Sequence, residues 1–183
     1  MIRSCSFGLV DKLFIMKKQF ILLTALFFVL GFQSCGVYSF TGASIPVEAK
    51  TISVLYFPNK ATMVQPMLSK SITEALQDKF RSESSLSITQ RNGDLAIEGE
   101  ITGYDTQPIA IQGNQTAALN RLTVTVNVRF RNRFDEKANF ETSFSRYRDY
   151  SSSKSLSSAE TDLLPGMIVD IVQDIYNKCV VNW

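Results

Sequence analysis

Between residues 62 and 82 apolar side chains recur at intervals of three and four: Val64, Met67, Leu68, Ile72, Ala75, Leu76 and Phe80. That period predicts one amphipathic helix over 62–82, with Pro66 in its first turn, where a missing N–H is tolerated. A second stripe of the same period runs through Leu163, Leu164, Met167, Ile168, Ile171, Val172, Ile175, Tyr176 and Cys179. It predicts a C-terminal helix whose opposite face carries Asp162, Asp170, Asp174 and Lys178. Between these stripes the period falls to two. Leu122, Val124, Val126, Val128 and Phe130 alternate with Arg121, Thr123, Thr125, Asn127, Arg129 and Arg131. Leu95, Ile97, Gly99, Ile101 and Gly103 alternate with Ala96, Glu98, Glu100, Thr102 and Tyr104, and a further β run spans 139–150 after the polar turn Asp135-Glu136-Lys137. Such alternation marks strands with one buried and one wet face, as in an antiparallel sheet covered on one side.

Two shorter runs complete the β character. Residues 51–57 form a buried strand stopped by Pro58-Asn59, and residues 86–90 precede Asn92-Gly93, a tight-turn dipeptide. Ser151–Ser158 reads as a polar loop. The expected fold is α+β, a two-layer sandwich in the order β-α-β-β-β-α. Its mostly antiparallel four-stranded sheet is covered on one face by two helices, in a single domain over 51–183.

The first 34 residues do not fit this domain. Met16-Lys17-Lys18 is followed by an apolar run from Phe20 to Leu30, then Gly31-Phe32-Gln33-Ser34-Cys35. A basic start, about a dozen apolar residues and a small-residue exit form a secretory signal, with Met16 as the expected true start. The run is shorter than the roughly 20 residues that span a bilayer. Cys35, preceded by Ser34 and followed by Gly36, resembles a bacterial lipobox, although Phe32 stands where that pattern prefers Leu. In that reading Cys35 takes a lipid, and residues 35–50 are the tether that holds the domain to a bilayer.

Composition narrows the chemistry. The chain has 183 residues and no histidine, which removes histidine-based triads, imidazole bases and most catalytic zinc sites. Its three cysteines, Cys5, Cys35 and Cys179, have no metal-cage spacing, and no cofactor is expected. Cys179 falls within the last apolar stripe and reads as a buried thiol. From Cys35 onward 15 basic residues face 16 acidic ones, a net charge of −1, so a nucleic-acid-binding domain is not supported. Glu98 and Glu100 share the wet face of one strand, about 7 Å apart. They read better as cross-strand partners of Arg129 and Arg131 than as a catalytic carboxylate pair. The remaining chemical feature is arginine: Arg121, Arg129, Arg131 and Arg133 with Arg146 and Arg148, on or beside the exposed face. The guanidinium fork matches phosphate and carboxylate oxygens. A solvated face balanced by Glu98, Glu100, Glu141 and Asp149 stands as the equal alternative. Asn114-Gln115-Thr116 matches a glycosylation sequon and is read as loop composition.

The stretch Cys35-Gly36-Val37-Tyr38-Ser39-Phe40-Thr41-Gly42, the element order and the ending Val181-Asn182-Trp183 resemble the LptE family of lipopolysaccharide-assembly lipoproteins, in its Bacteroidota form. Many members carry His-Leu-Arg-Gly after the cysteine and aromatic residue; here Ser39-Phe40-Thr41-Gly42 keeps only the glycine. The resemblance implies a non-enzymatic lipoprotein on the periplasmic side of the outer membrane. It implies insertion into the lumen of an LptD-type β-barrel and help in moving lipopolysaccharide to the outer leaflet. Arg129, Arg131 and Arg133 are then candidates for contact with lipopolysaccharide. A periplasmic adaptor lipoprotein of another envelope transport system is the alternative.

Overall fold

The computed structural model describes residues 45–109 and 118–180. The signal segment, Cys35 with most of the tether, the sequon at Asn114 and the last three residues lie outside them. The elements are β1 (Thr51–Val54), α1 (Leu68–Glu83), β2 (Ser87–Thr89), β3 (Leu95–Ile109), β4 (Leu119–Asn132), β5 (Phe140–Ser151) and α2 (Leu156–Val180). The strands form one sheet in the order β2-β1-β3-β4-β5. The α+β sandwich is as the pattern predicts, but the sheet has five strands rather than four and is mixed. β3, β4 and β5 are antiparallel neighbours, whereas β1 runs parallel to both β2 and β3.

The parallel half contains the main departure from the sequence reading. Asn92-Gly93 does not close a hairpin, because β1 lies between β2 and β3. Ile52, Ser53 and Val54 are all buried, and a strand buried on both faces gains from pairing on both edges. The chain therefore leaves β2 at Thr89 and crosses the backbone of β1 before starting β3 at Leu95. Asn92 takes a left-handed conformation at the bend, with φ 54°. Gly93 makes the crossing: a Cβ there would stand 2.5 Å from the Ser53 amide nitrogen and 2.8 Å from the Ile52 carbonyl carbon.

Asp94 then locks the crossing to the start of β1. Its Oδ2 accepts from the Lys50 N–H (3.0 Å), the Thr51 N–H (3.1 Å) and the Thr51 hydroxyl (2.8 Å). The Thr51 Oγ1 in turn accepts from the Asp94 N–H at 2.9 Å. The Lys50 amide, then the Thr51 hydroxyl, hold the Asp94 carboxyl below its ordinary value of 3.8.

Both helices pack on one face of the sheet. Ile52, Leu95, Ile97, Ile101, Leu122, Val124 and Val126 are fully buried against Leu68, Ile72, Leu76, Phe80, Met167 and Ile171. The helices meet at Phe80 and Tyr176, whose ring centroids are 4.9 Å apart. Gly99 on the covered face leaves room for Phe57, because a Cβ would stand 2.3 Å from Phe57 Cε1. Helix α1 starts at Leu68, later than its apolar period suggests. Gln65 precedes Pro66 and is biased away from helical backbone. Its side-chain carbonyl instead caps the Met67 and Leu68 N–H groups at 2.7 and 3.0 Å. Helix α2 starts earlier, at Leu156, because Ser155 caps it through the Ser158 N–H at 3.3 Å.

A bulge corrects the alternation of β3. The register with β4 shifts between Ile101 and Gly103, so that Ile101 faces Val126 and Tyr104 faces Val124. Tyr104 therefore turns from the polar face, where strict alternation puts it, into the core. Its hydroxyl donates to Glu160 of α2, and burial raises its pKa strongly.

Two outcomes follow. Ile171→Asp places a charge in the fully buried helix–sheet interface and is expected to cost on the order of 3 kcal/mol, read from the urea midpoint. Asp94→Ala is expected to speed hydrogen exchange of the Lys50 and Thr51 amides several-fold. The lowered pKa gives the sign of the pH effect: Asp94 stabilises the crossing above about pH 3.8 and loses that contribution as pH falls through its folded value. Acidification of the unmodified protein is therefore expected to lower the protection factors of these two amides, measured relative to intrinsic exchange at each pH, as the variant does.

Candidate functional site

The face of the sheet that the described residues leave uncovered carries the polar half of each alternating strand, and the register decides which charges meet. Arg121 lies opposite Asp149 and binds it with both arms, Nε to Oδ1 at 2.7 Å and Nη2 to Oδ2 at 3.0 Å. Its guanidinium also lies 3.8 Å from the centroid of the Tyr147 ring. Arg129 lies opposite Glu141, and its Nε and Nη2 both donate to Oε2, at 3.0 and 2.9 Å. These bonds raise both arginine pKa values, while Arg121 lowers that of Asp149. Between the two ion pairs run hydroxyl and amide contacts, Thr125 with Ser145 at 3.0 Å and Asn127 with Ser143 at 3.4 Å.

Several expected partnerships change. Glu98 does face Arg129 across β3 and β4, but the guanidinium bonds to Glu141 on the other side. Arg131 faces Ala96, and Glu100 faces Asn127, so the predicted cross-strand pairs of the two glutamates do not form. Arg146 and Arg148 belong to the helix side of β5 rather than the wet face. Arg146 binds Asp174 and Arg148 binds Asp170, both on α2. The inward alternation of β5 and the acidic stripe of α2 bring these charges together. Cys179 is buried as expected, and burial raises its thiol pKa strongly.

A concave feature of the uncovered face lies where the crossing segment and the β4–β5 turn border the sheet. It is a cleft of about 730 Å³. Ser53, Ala96 and Glu98 line it from β1 and β3, Arg91 and Asp94 from the crossing, Arg131 from the end of β4 and Arg133 from the turn after it. The turn is held firmly: the Asn132 N–H donates to Asn139 Oδ1 at 2.6 Å, and Asn132 Oδ1 accepts from the Phe134 and Asp135 N–H groups. The Arg133 N–H donates to the Asp94 carbonyl at 3.1 Å, which ties the two walls together. Of the three arginines singled out in the sequence, the structure brings Arg131 and Arg133 into the cleft. Arg129 is engaged by Glu141 and does not line it. Arg91 joins them, and the sequence reading missed it. It stands 40 positions from Arg131, and its only local signal is a polar turn.

The cleft lies within the part of the chain that has recognisable relatives. The family model described as LptE, lipopolysaccharide-assembly, matches residues 49–179, well over half of the chain. No curated protein matches the sequence. Solved structures with similar architecture include a minor lipoprotein from Acinetobacter baumannii, at 16% identity, covering 69% of this chain and 89% of the other with TM-score 0.45. The rare lipoprotein B of Shewanella oneidensis is 14% identical, with 68% and 91% covered and TM-score 0.45. A putative neuraminyllactose-binding hemagglutinin homolog from Helicobacter pylori is 11% identical, with 75% and 87% covered and TM-score 0.47. Structural likeness at this level does not transfer a function. The family match does not depend on it: with its model matched over residues 49–179, from before β1 into the last turn of α2, the chain belongs to the LptE family of lipopolysaccharide assembly.

Proposed function

We propose that this chain is an outer-membrane lipoprotein, anchored through Cys35 on the periplasmic side. It assembles with and plugs an LptD-type β-barrel and assists lipopolysaccharide transport to the outer leaflet. The observation that carries this reading is the LptE family match over residues 49–179, which takes in every element of the folded domain. The signal-like segment ending at Cys35 supports the anchor, since an acyl chain contributes about 0.8 kcal/mol per buried methylene. The role is non-catalytic: the domain acts by occupying a barrel and holding a ligand. Its uncovered face suits a water-filled lumen, because it is lined by paired charges and by hydroxyl and amide groups. Within that face Arg131 and Arg133 are the arginines that would meet the anionic groups of lipopolysaccharide. Arg129 serves mainly the β4–β5 pairing.

Purification of the tagged full-length chain from detergent-solubilised outer membranes tests the assembly. A large β-barrel recovered in equal stoichiometry is the expected result, and recovery with the inner-membrane parts of another transporter would overturn it. Cys35→Ala tests the anchor. Metabolic incorporation of a labelled fatty acid is expected to fall to background, while the melting temperature of the domain stays within about 1 °C, because the core formed by the described residues lies downstream of residue 35. Undiminished labelling would exclude Cys35 as the attachment point.

A further inference from the structure

The described residues contain eight arginines, and five are held in ion pairs: Arg81 with Asp78, Arg121 with Asp149, Arg129 with Glu141, Arg146 with Asp174 and Arg148 with Asp170. The other three are Arg91, Arg131 and Arg133, which have no ion-pair partner among the described residues. All three line the same cleft. They come from separate places in the chain, the crossing over β1, the end of β4 and the turn after it, so nothing in the local sequence forces them together.

The same walls carry Glu98 and Glu136, which also lack an ion-pair partner among the described residues. Asp94, the third carboxylate of the cleft, is already committed to Lys50 and Thr51. The cleft thus offers three guanidinium forks and two carboxylates that form no ion pair among the described residues. Guanidinium groups match phosphate oxygens. Carboxylates nearby disfavour a ligand that is anionic throughout and favour one whose phosphate carries a cationic end.

We propose that this cleft binds a phosphoethanolamine-type headgroup, with its phosphate on Arg91, Arg131 and Arg133 and its primary ammonium on Glu98 and Glu136. The inference deepens the reading of the chain as a handler of phosphorylated envelope lipid and rests on it. Two envelope molecules can present this group, a glycerophospholipid and a lipopolysaccharide decorated with phosphoethanolamine. The cleft, at about 730 Å³ and open to solvent, has room for the group together with the start of whatever carries it.

The test follows the amide resonances of Asn92, Gly93 and Asp94 in the full-length chain, held in micelles of a phosphate-free detergent. O-Phosphoethanolamine, phosphocholine and inorganic phosphate are titrated separately. O-Phosphoethanolamine is expected to bind at least tenfold more tightly than the other two, since phosphocholine has no ammonium N–H to donate and inorganic phosphate has no cation. Arg131→Gln with Arg133→Gln is expected to weaken it at least tenfold. Glu98→Gln with Glu136→Gln is expected to abolish the preference over phosphocholine while phosphate binding persists, and Arg121→Gln, whose arginine lies outside the cleft, to change nothing. Equal affinity for inorganic phosphate, or no shift with any probe, overturns the proposal. Selectivity of the unmodified chain decides the matter even if a double variant fails to fold.

Co-sedimentation with phosphatidylcholine vesicles, with and without phosphatidylethanolamine, is compared with binding of lipopolysaccharide with and without phosphoethanolamine substituents. The pair in which the substituent raises binding identifies the source. A failed titration alongside a recovered β-barrel would sink the headgroup site and leave the assembly reading intact.

Discussion

The passage of residues 90–94 across β1 is the constraint on which the arrangement of this domain depends. Parallel neighbours are usually joined by a crossover of a dozen or more residues that carries its own helix. Here five residues connect two strands that flank a third, and they succeed because the side chain at the point of contact is a single hydrogen. Gly93 lets one backbone lie on another, Asn92 supplies the bend, and Asp94 substitutes its carboxylate for the partners that the first two amides of the β1 region would otherwise lack. The crossing covers Ser53, which is buried on the otherwise wet face. It also raises one wall of the cleft, so the feature that completes the sheet shapes the site as well.

The charges of the domain divide according to geometry. Along the β4–β5 register, and where β5 faces α2, arginine and carboxylate meet at bonding distance. Arg121 and Arg129 brace the outer surface of the β4–β5 pair, and Arg146 and Arg148 fasten the edge strand to α2. Exposed pairs of this kind contribute little stability each, about 0–1 kcal/mol. Their value is in placement. Charged residues on an edge strand that point inward oppose unwanted pairing with another chain, which matters for a β5 of twelve residues bonded to one neighbour only among the described residues. At the far end of β4 the pattern stops. Beyond Arg129 the edge strand no longer presents a carboxylate, and Arg131 and Arg133 project over a concave surface instead.

Membership in the LptE family gives these features a setting, and the physical reading gives that setting residues. A domain whose covered face is dry and whose uncovered face is a ladder of satisfied polar pairs can present the second face to water or to another polar wall without losing its core. The cleft is the place on that face where charge remains available. Unpaired charge and scaffold thus fall to different arginines of the same strand, two residues apart.

The sequence by itself determined both layers: two helical stripes at a period of 3.6, alternating strands, and hence a half-covered sheet with its apolar side named residue by residue. It also determined that Cys179 would be buried, and the family was legible as a resemblance carried by the stretch from Cys35 to Gly42 together with the element order and the ending. Periodicity reports only which face of an element is apolar, so it stopped where neighbours had to be chosen. The tight-turn signal of Asn92-Gly93 was real as a bend, yet the pairing it suggests lost to a buried β1 that needed two partners. Strict alternation put Tyr104 on the wet face, and one bulge reversed it. Arg129, Arg131 and Arg133 looked equivalent in the chain. Only the tertiary structure separated them, because the position of Glu141 across one edge and of Arg91 across the cleft depends on register and crossing, and both are contacts between residues distant in sequence.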